Sequence, residues 1–163
     1  MGLGCVEVRG GRLVCIGHRL VRAKNAGDDD WPSRLKTIYQ SVSTAILEWR
    51  PTVASVERVF FARNAESALK LGQARGAALA AVAMHDLPIF EYPATSVKQA
   101  VTSSGRAEKE QVYQMVRLLL GESLRALGEL ERHDSSDALA IAICHTQQNI
   151  RLSPSRMEGK TIS

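Results

Sequence analysis

The sequence predicts a single α/β domain in which helices cover a mixed sheet. Its 163 residues are 45% hydrophobic and 23% charged, as in an ordinary globular domain that is large enough to bury a core. Strand-like and helix-like segments follow one another in the order that is typical of α/β folds. No internal repeat with a period of roughly 20–50 residues is visible, which argues against a solenoid or a propeller.

The residue pattern over 3–60 predicts a β-hairpin, then a helix and then a third strand. Residues 3–9 and 13–21 are rich in strand-forming residues, and the Gly-Gly pair between them suits a tight turn. A polar stretch then leads to Asp30, a suitable N-cap for a helix with apolar residues at helical spacing. Pro51 closes that helix, and the β-branched and aromatic residues of 53–60 predict the next strand.

The second part of the chain predicts mainly helices. A long helix over 64–84 is followed by a short strand over 87–92. Helical patterns continue at 96–101 and 108–120, and the last helix covers 138–147. A connector fills the space before that last helix, whose acidic start is the segment Asp-Ser-Ser-Asp.

Charge and composition narrow the class of protein. Lys and Arg total 21 against 17 Asp and Glu, so the net charge is +4, which is compatible with a polyanionic partner. We expect a cytoplasmic protein, since the sequence shows neither a membrane-spanning stretch nor a signal peptide, and its three cysteines form no C-x-x-C pair. Residues 1–148 are predicted to form the domain and 149–163 a flexible, polar and basic tail.

Three acidic residues are the first candidates for chemistry. Glu57 lies near the carboxyl end of a mostly apolar predicted strand, where open α/β sheets bind their ligands. Asp134 and Asp137 start the last helix one turn apart, so their carboxylates share a face. The alternative is structural: an outward-facing Glu on an edge strand and two helix-capping aspartates. Three converging carboxylates would repel one another unless a divalent cation lay among them.

Basic and aromatic residues form a second group of candidates. Lys98, Arg106 and Lys109 flank a Ser/Gly loop, and Arg63 follows the aromatic Phe60. Aromatic rings beside basic side chains suit stacking on unpaired bases together with contacts to phosphates. The alternative is an ordinary solvated face. The sequence contains no P-loop and no G-x-S-x-G motif, so neither P-loop nucleotide hydrolysis nor esterase chemistry has support.

Small residues mark the long helix over 64–84. Gly72, Gly76 and Ala80 leave room for another element to approach closely. That element is either a second copy of the chain, across a dimer interface, or another part of the same fold.

An ordered set of motifs resembles the RuvC family of Holliday junction resolvases and covers nearly all of residues 2–148. These motifs are V-E-R-V-F at 56–60, N-A-E-S-A-L-K-L-G-Q-A-R-G at 64–76, E-Y at 91–92, V-K-Q-A-V at 97–101, the Gly, Lys, Gln, Val and Met positions of 105–116, and D-x-x-D-A-L-A-I-A at 134–142.

The resemblance implies an RNase H-like fold and a homodimeric endonuclease that depends on Mg²⁺, with Mn²⁺ as a substitute. Such enzymes nick two opposed strands of four-way junction DNA in recombination and repair, with a branch-migration motor complex as a further partner. The family's catalytic, metal-binding carboxylates correspond to Glu57, Asp134 and Asp137. Phe60 corresponds to the aromatic residue that engages unpaired bases, and the phosphate-contacting lysines correspond to Lys98 and Lys109.

The sequence departs from the family pattern at its start. Family members begin with a central strand that ends in G-x-D-P-G, whose Asp is a metal ligand, and residues 1–4 correspond to the strand after it. We therefore expect the first central strand to be missing from this chain, through a start codon assigned to an internal Met. The chain that starts at Met1 is expected to be poorly soluble or, if folded, to bind four-way junctions through Phe60, Lys98 and Lys109 without cutting them. The alternative is a non-catalytic paralogue that binds branched DNA or dimerises after losing its metal site.

Overall fold

The computed structural model describes residues 1–22, 30–58, 65–128, 130, 134–152 and 160–162. The strands are β1 (Gly2–Arg9), β2 (Arg12–Leu20), β3 (Val53–Glu57), β4 (Ile89–Tyr92) and β5 (Lys160–Ile162). The helices are α1 (Trp31–Trp49), α2 (Ala65–Ala83), α3 (Ala94–Thr102), α4 (Lys109–Arg125) and α5 (Asp134–Leu152).

Five strands form one mixed sheet in the order β2-β1-β5-β3-β4. β1 runs antiparallel to β2 and β5, whereas β3 runs parallel to β4 and β5. The central strand β5 is short: it pairs with Cys5–Glu7 of β1 and with Val53 and Ala54 of β3. The mixed sheet predicted from the sequence is confirmed, and its central position is taken by the C-terminal strand.

Helices cover both faces of the sheet. On one face α1 and α2 pack together over a core that includes Leu3, Cys5 and Trp49. On the other face α3, α4 and α5 enclose a core that includes Val6 and Leu139. Successive side chains of β1 point to opposite faces, so one strand contributes to both cores.

Local signals in the sequence formed as predicted. Gly10 and Gly11 have φ angles of 55° and 76°, the positive values that a two-residue hairpin turn requires. The carboxylate of Asp30 accepts a hydrogen bond from the Ser33 backbone N–H at 3.2 Å and caps α1.

The structure differs from the sequence predictions at two places. α4 continues to Arg125 with a kink at Gly121, in the segment where a connector was expected. α5 continues through Leu152 and Lys160–Ile162 form β5, so both extend into the segment expected as a tail. Pairing with distant strands explains β5, because a segment of three residues is too short to carry a strand signal of its own. Within the described residues, no helix is long and apolar enough to cross a membrane.

Candidate nuclease site

The three candidate residues Glu57, Asp134 and Asp137 line one cavity of about 410 Å³. Glu57 is the last residue of β3, and Asp134 and Asp137 lie in the first turn of α5. Much of the remaining wall comes from α2 and from the rest of β3. The structure therefore brings the carboxyl end of a strand to the start of a helix, across residues that are far apart in the sequence.

Glycines in β1 allow α5 to begin directly against the sheet. A Cβ atom on Gly2 would overlap the backbone carbonyl of Asp134, and one on Gly4 would lie 2.8 Å from the Leu139 side chain. Leu139 and Ile143 are fully buried and hold α5 on this face. The close approach of helix and strand thus determines where the first turn of α5, with its two aspartates, meets the cavity.

Positive groups lie close to both aspartates. The Met1 ammonium is 3.2 Å from Asp134 Oδ2, and Lys109 Nζ is 3.9 Å from Asp137 Oδ2. The helix dipole also favours negative charge at this end of α5. Because both aspartate side chains are about half exposed, water screens the ion pairs and each contributes little to stability.

Most of the cavity wall is apolar, and Glu57, Asp134 and Asp137 are the lining residues that carry carboxylates for a hard divalent cation. Carboxylate oxygens are the ligands that Mg²⁺ prefers, usually together with water. Ser55 is fully buried and lines the same cavity, and within the described part of the chain its Oγ has no hydrogen-bond partner. No group of three His, Cys, Asp or Glu side chains in the described residues is close enough to hold a metal ion as it stands. A shared metal at these carboxylates therefore stays a prediction.

Two residues of the site were not singled out by the sequence analysis. Ser55 lies two positions before Glu57 on β3, so alternation alone puts both side chains on one face of the sheet. Arg75 lines the cavity from α2 and donates a hydrogen bond from Nη1 to the backbone carbonyl of Glu57 at 2.7 Å. The alternation of side chains along a strand could have identified Ser55 from the sequence. The hydrogen bond from Arg75 to the Glu57 carbonyl could not have been predicted in this way, because it depends on how α2 packs.

Three predicted DNA-binding residues lie around one loop. Lys98 is on α3, Arg106 is exposed in the loop that follows, and Lys109 is the first residue of α4. At the end of α3 the Thr102 hydroxyl donates a hydrogen bond to the Lys98 carbonyl at 2.8 Å. Since Lys109 also approaches Asp137, this basic loop, residues 98–109, adjoins the acidic cavity.

Two further predicted DNA-binding residues, Phe60 and Arg63, lie outside the described residues. Their roles stay predictions.

The small residues of α2 lie on two faces. Ala81 and Val82 are buried in the core shared with α1. Gly72, Gly76 and Ala80 are exposed, and no described atom lies within 4 Å of a Cβ built on either glycine. Packing inside the fold therefore explains the small side chain on the buried face of α2. It does not explain those on the exposed face, which we call the open face of α2.

Comparison with known proteins supplies the family. The model of the family described as crossover junction endodeoxyribonuclease RuvC matches residues 1–145. The RuvC of Citrifermentans bemidjiense is 48% identical over 144 residues, which are 88% of this chain and 84% of that protein. The RuvC of Cronobacter sakazakii is 48% identical over 159 residues, or 96% of this chain and 87% of the relative.

Solved structures agree with the sequence comparisons. The Thermus thermophilus RuvC structure superposes with a TM-score of 0.77 at 33% identity and covers 97% of this chain and 92% of that one. The same protein in complex with a Holliday junction substrate also gives a TM-score of 0.77 and 33% identity, covering 97% of this chain and 91% of that one. The RNase H-like fold expected from the motifs is confirmed, and the chain belongs to the RuvC family of crossover junction endodeoxyribonucleases.

Proposed function

We propose that this chain resolves four-way DNA junctions with Glu57, Asp134 and Asp137 as its catalytic carboxylates. The observation that carries the proposal is that these three residues, from two distant segments, line one cavity. Membership of the RuvC family supports the reaction class, and the T. thermophilus relative bound to a Holliday junction supports the substrate. Recombination and repair are the processes in which such junctions arise.

The chemistry at this cavity is hydrolysis of a phosphodiester. Mg²⁺ held there would lower the pKa of a bound water and stabilise the charge on the leaving 3′ oxygen. The carboxylates supply the oxygen ligands, and Ser55 adds a buried oxygen that has no hydrogen-bond partner in the described part of the chain. Lys109, beside Asp137, adds positive charge where the negative DNA backbone must approach.

The basic loop is proposed to bind the phosphates near the cut. Lys109 lies beside Asp137, and Lys98 and Arg106 flank the same loop, so we expect a strand that contacts these residues to pass close to the carboxylates. Phe60 is proposed to stack on unpaired bases at the crossover, with Arg63 contacting the backbone next to it.

Two strands must be cut, which calls for two active sites on opposite sides of the junction. A homodimer supplies them, and the open face of Gly72, Gly76 and Ala80 on α2 is the proposed interface. A branch-migration motor is the proposed further partner, and the cytoplasm the proposed compartment.

Removing single carboxylates tests the proposal. Glu57→Gln, Asp134→Asn and Asp137→Asn each take away a negative charge with little change of shape. We expect nicking of a labelled synthetic junction in Mg²⁺ to fall by more than about 100-fold. Mutation of a residue that only orients a metal ligand costs up to about 100-fold in activity, and loss of the ligand itself should cost more. Junction binding in EDTA, followed by fluorescence anisotropy, should stay within about threefold because DNA phosphates contact cationic groups.

Glu48→Gln is the matched control, because Glu48 is an exposed α1 carboxylate that pairs with Arg19 outside the cavity. Unchanged nicking in all three cavity variants would contradict the proposed site. Junction binding without any nicking by the unmodified chain would contradict the proposed cleavage; it is the result that the departure from the family pattern predicts, and the result that a non-catalytic branched-DNA-binding protein would give.

A further inference from the structure

One arginine ties the end of β3 to two other elements. Arg75 of α2 donates from Nη1 to the backbone carbonyl of Glu57 and from Nη2 to Oε1 of Glu91, each at 2.7 Å. Glu91 lies on β4, and its other carboxylate oxygen is 3.8 Å from Nε of Arg58. The guanidinium therefore bridges the carboxyl ends of β3 and β4 and holds both against α2.

The geometry of this bridge is rigid. A guanidinium presents its N–H groups in one plane, so two simultaneous hydrogen bonds fix its orientation as well as its distance. The Arg75 side chain is only 25% exposed, which limits competition from water. In the described residues, the backbone pairing of β3 with β4 ends just after Glu57. Its last hydrogen bond is donated by the Arg58 N–H to the Tyr92 carbonyl at 2.8 Å. The carbonyl of Glu57 is thus anchored by a side chain from the neighbouring helix at the end of the strand.

We propose that Arg75 is a positioning residue for Glu57, with Glu91 orienting the guanidinium. The inference rests on the proposed function, in which the Glu57 carboxylate binds a divalent cation. Fixing the backbone of Glu57 fixes the point from which its side chain enters the cavity. A ligand held in place binds a metal more tightly than one that must first be ordered, and residues that support ligands typically contribute about 10–100-fold in affinity.

The positive charge of Arg75 has a second effect at the same place. Three residues with carboxylates line the cavity, and like charges repel one another. Arg75 also lines this cavity, so its charge reduces that repulsion without occupying the carboxylate oxygens that a metal needs. The bond goes to the backbone of Glu57 and leaves both side-chain oxygens available.

Titration with Mn²⁺ tests the positioning role apart from cleavage. Free Mn²⁺ is measured by electron paramagnetic resonance, so the affinity is obtained without DNA. We expect Arg75→Ala to weaken Mn²⁺ binding by about 10–100-fold, and Arg75→Lys to have an intermediate effect because an ammonium cannot bridge both acceptors in one plane. Glu91→Gln keeps an oxygen acceptor and should weaken Mn²⁺ binding less than Arg75→Ala does.

Two further measurements separate positioning from other roles. Junction binding in EDTA should change by less than about threefold in Arg75→Ala, since Arg75 is bonded to protein acceptors and makes no phosphate contact in this scheme. Thermal unfolding without metal shows whether each variant is folded. Arg19→Ala is the control, because this arginine pairs with Glu48 at 2.6 Å outside the cavity and its removal should leave the Mn²⁺ affinity unchanged.

Three results would overturn the inference. The first is wild-type Mn²⁺ affinity in folded Arg75→Ala. The second is an equal loss of junction binding without metal, which would make Arg75 a DNA contact. The third is wild-type Mn²⁺ affinity in Glu57→Gln, which would remove the proposed carboxylate site and the positioning role together. If Glu57→Gln loses affinity and Arg75→Ala does not, only the positioning role fails.

Discussion

A buried histidine joins α5 to β4. His145 is 2% exposed, and its Nδ1 is 2.8 Å from the Tyr92 hydroxyl. The Phe90 ring lies with its centroid 4.6 Å from the imidazole. Burial lowers the pKa of His145 below 6.5, because an apolar environment disfavours the imidazolium. The hydrogen bond between Tyr92 and the neutral ring holds the two elements together.

This pKa predicts that the fold loses stability in mild acid. Below pH 6.5 and above the lowered pKa, the unfolded chain binds a proton at His145 that the folded chain does not, so the free energy of unfolding falls as pH falls. Each tenfold difference in proton affinity contributes about 1.4 kcal/mol. Urea unfolding at about pH 7.5 and about pH 5.5 should show a smaller pH dependence in His145→Gln than in the unmodified chain.

Glutamine at 145 keeps a hydrogen-bonding group for Tyr92 but cannot titrate, and the other histidines are common to both proteins. The comparison therefore isolates His145. An identical pH dependence in the two proteins would show that this histidine does not titrate differently on folding.

Among the helices, α2 serves two surfaces. One face carries the buried Ala81 and Val82 and packs on α1. The open face carries an exposed row of residues spaced three or four apart, which is the spacing of neighbours on a helix surface. This row consists of Leu69, Gly72, Gly76 and Ala80. Because its glycines add no side chain, a second helix could approach the row closely, as the proposed dimer requires.

A charged side chain on the open face of α2 tests the dimer. Gly76→Arg should leave the fold intact or slightly more stable, since glycine inside a helix costs roughly 0.5–1 kcal/mol and no described atom lies within 4 Å of the new Cβ. We expect light scattering to show half the mass of the unmodified protein, because the arginine would bury a charge in the interface. Leu118→Arg, at an exposed position of α4, is the control. A Gly76→Arg protein that stays dimeric would exclude this face as the interface.

Over the molecule as a unit, a net positive chain brings a lysine next to an aspartate of the cavity. The chain carries a net charge of +4, and the basic loop, residues 98–109, adjoins Asp137 through Lys109. Lysines that bind phosphates release counterions, so the affinity for DNA falls as salt is added. DNA binding and DNA cleavage thus need neighbouring surfaces of opposite charge. The basic loop must attract phosphates, and the carboxylates of the cavity must hold cations.

Salt dependence measures the proposed binding of phosphates by the basic loop. Between about 50 mM and about 200 mM salt, junction affinity in EDTA should fall steeply. The double variant Lys98→Ala with Lys109→Ala should make the slope of log K against log salt shallower by about 0.9 for each phosphate that is no longer neutralised. Lys36→Ala, an exposed lysine on α1, is the control and should leave the slope unchanged. A slope that does not change in the double variant would show that these lysines do not bind phosphates.

Local rules explain the features that could be predicted from the sequence. The Gly10-Gly11 turn and the Asp30 cap formed as predicted, because each depends on the conformation of a few neighbouring residues. Alternation and helical spacing predicted the mixed α/β class, and the ordered motifs predicted the family that the comparisons show. Glu57, Asp134 and Asp137 were likewise recognisable as candidates from spacing and motif alone.

Tertiary packing determines how distant segments meet. The C-terminal strand β5 lies at the centre of the sheet because β1 and β3 both offer it backbone partners, a pairing that no local pattern of a three-residue segment encodes. Arg75 reaches the carbonyl of Glu57 and the carboxylate of Glu91, 18 and 16 residues away, because α2 packs on α1 in a position from which the long arginine side chain extends to the ends of β3 and β4. Long-range contacts depend on the packing of complete elements, so the cavity and its supporting arginine became visible only when the chain was folded.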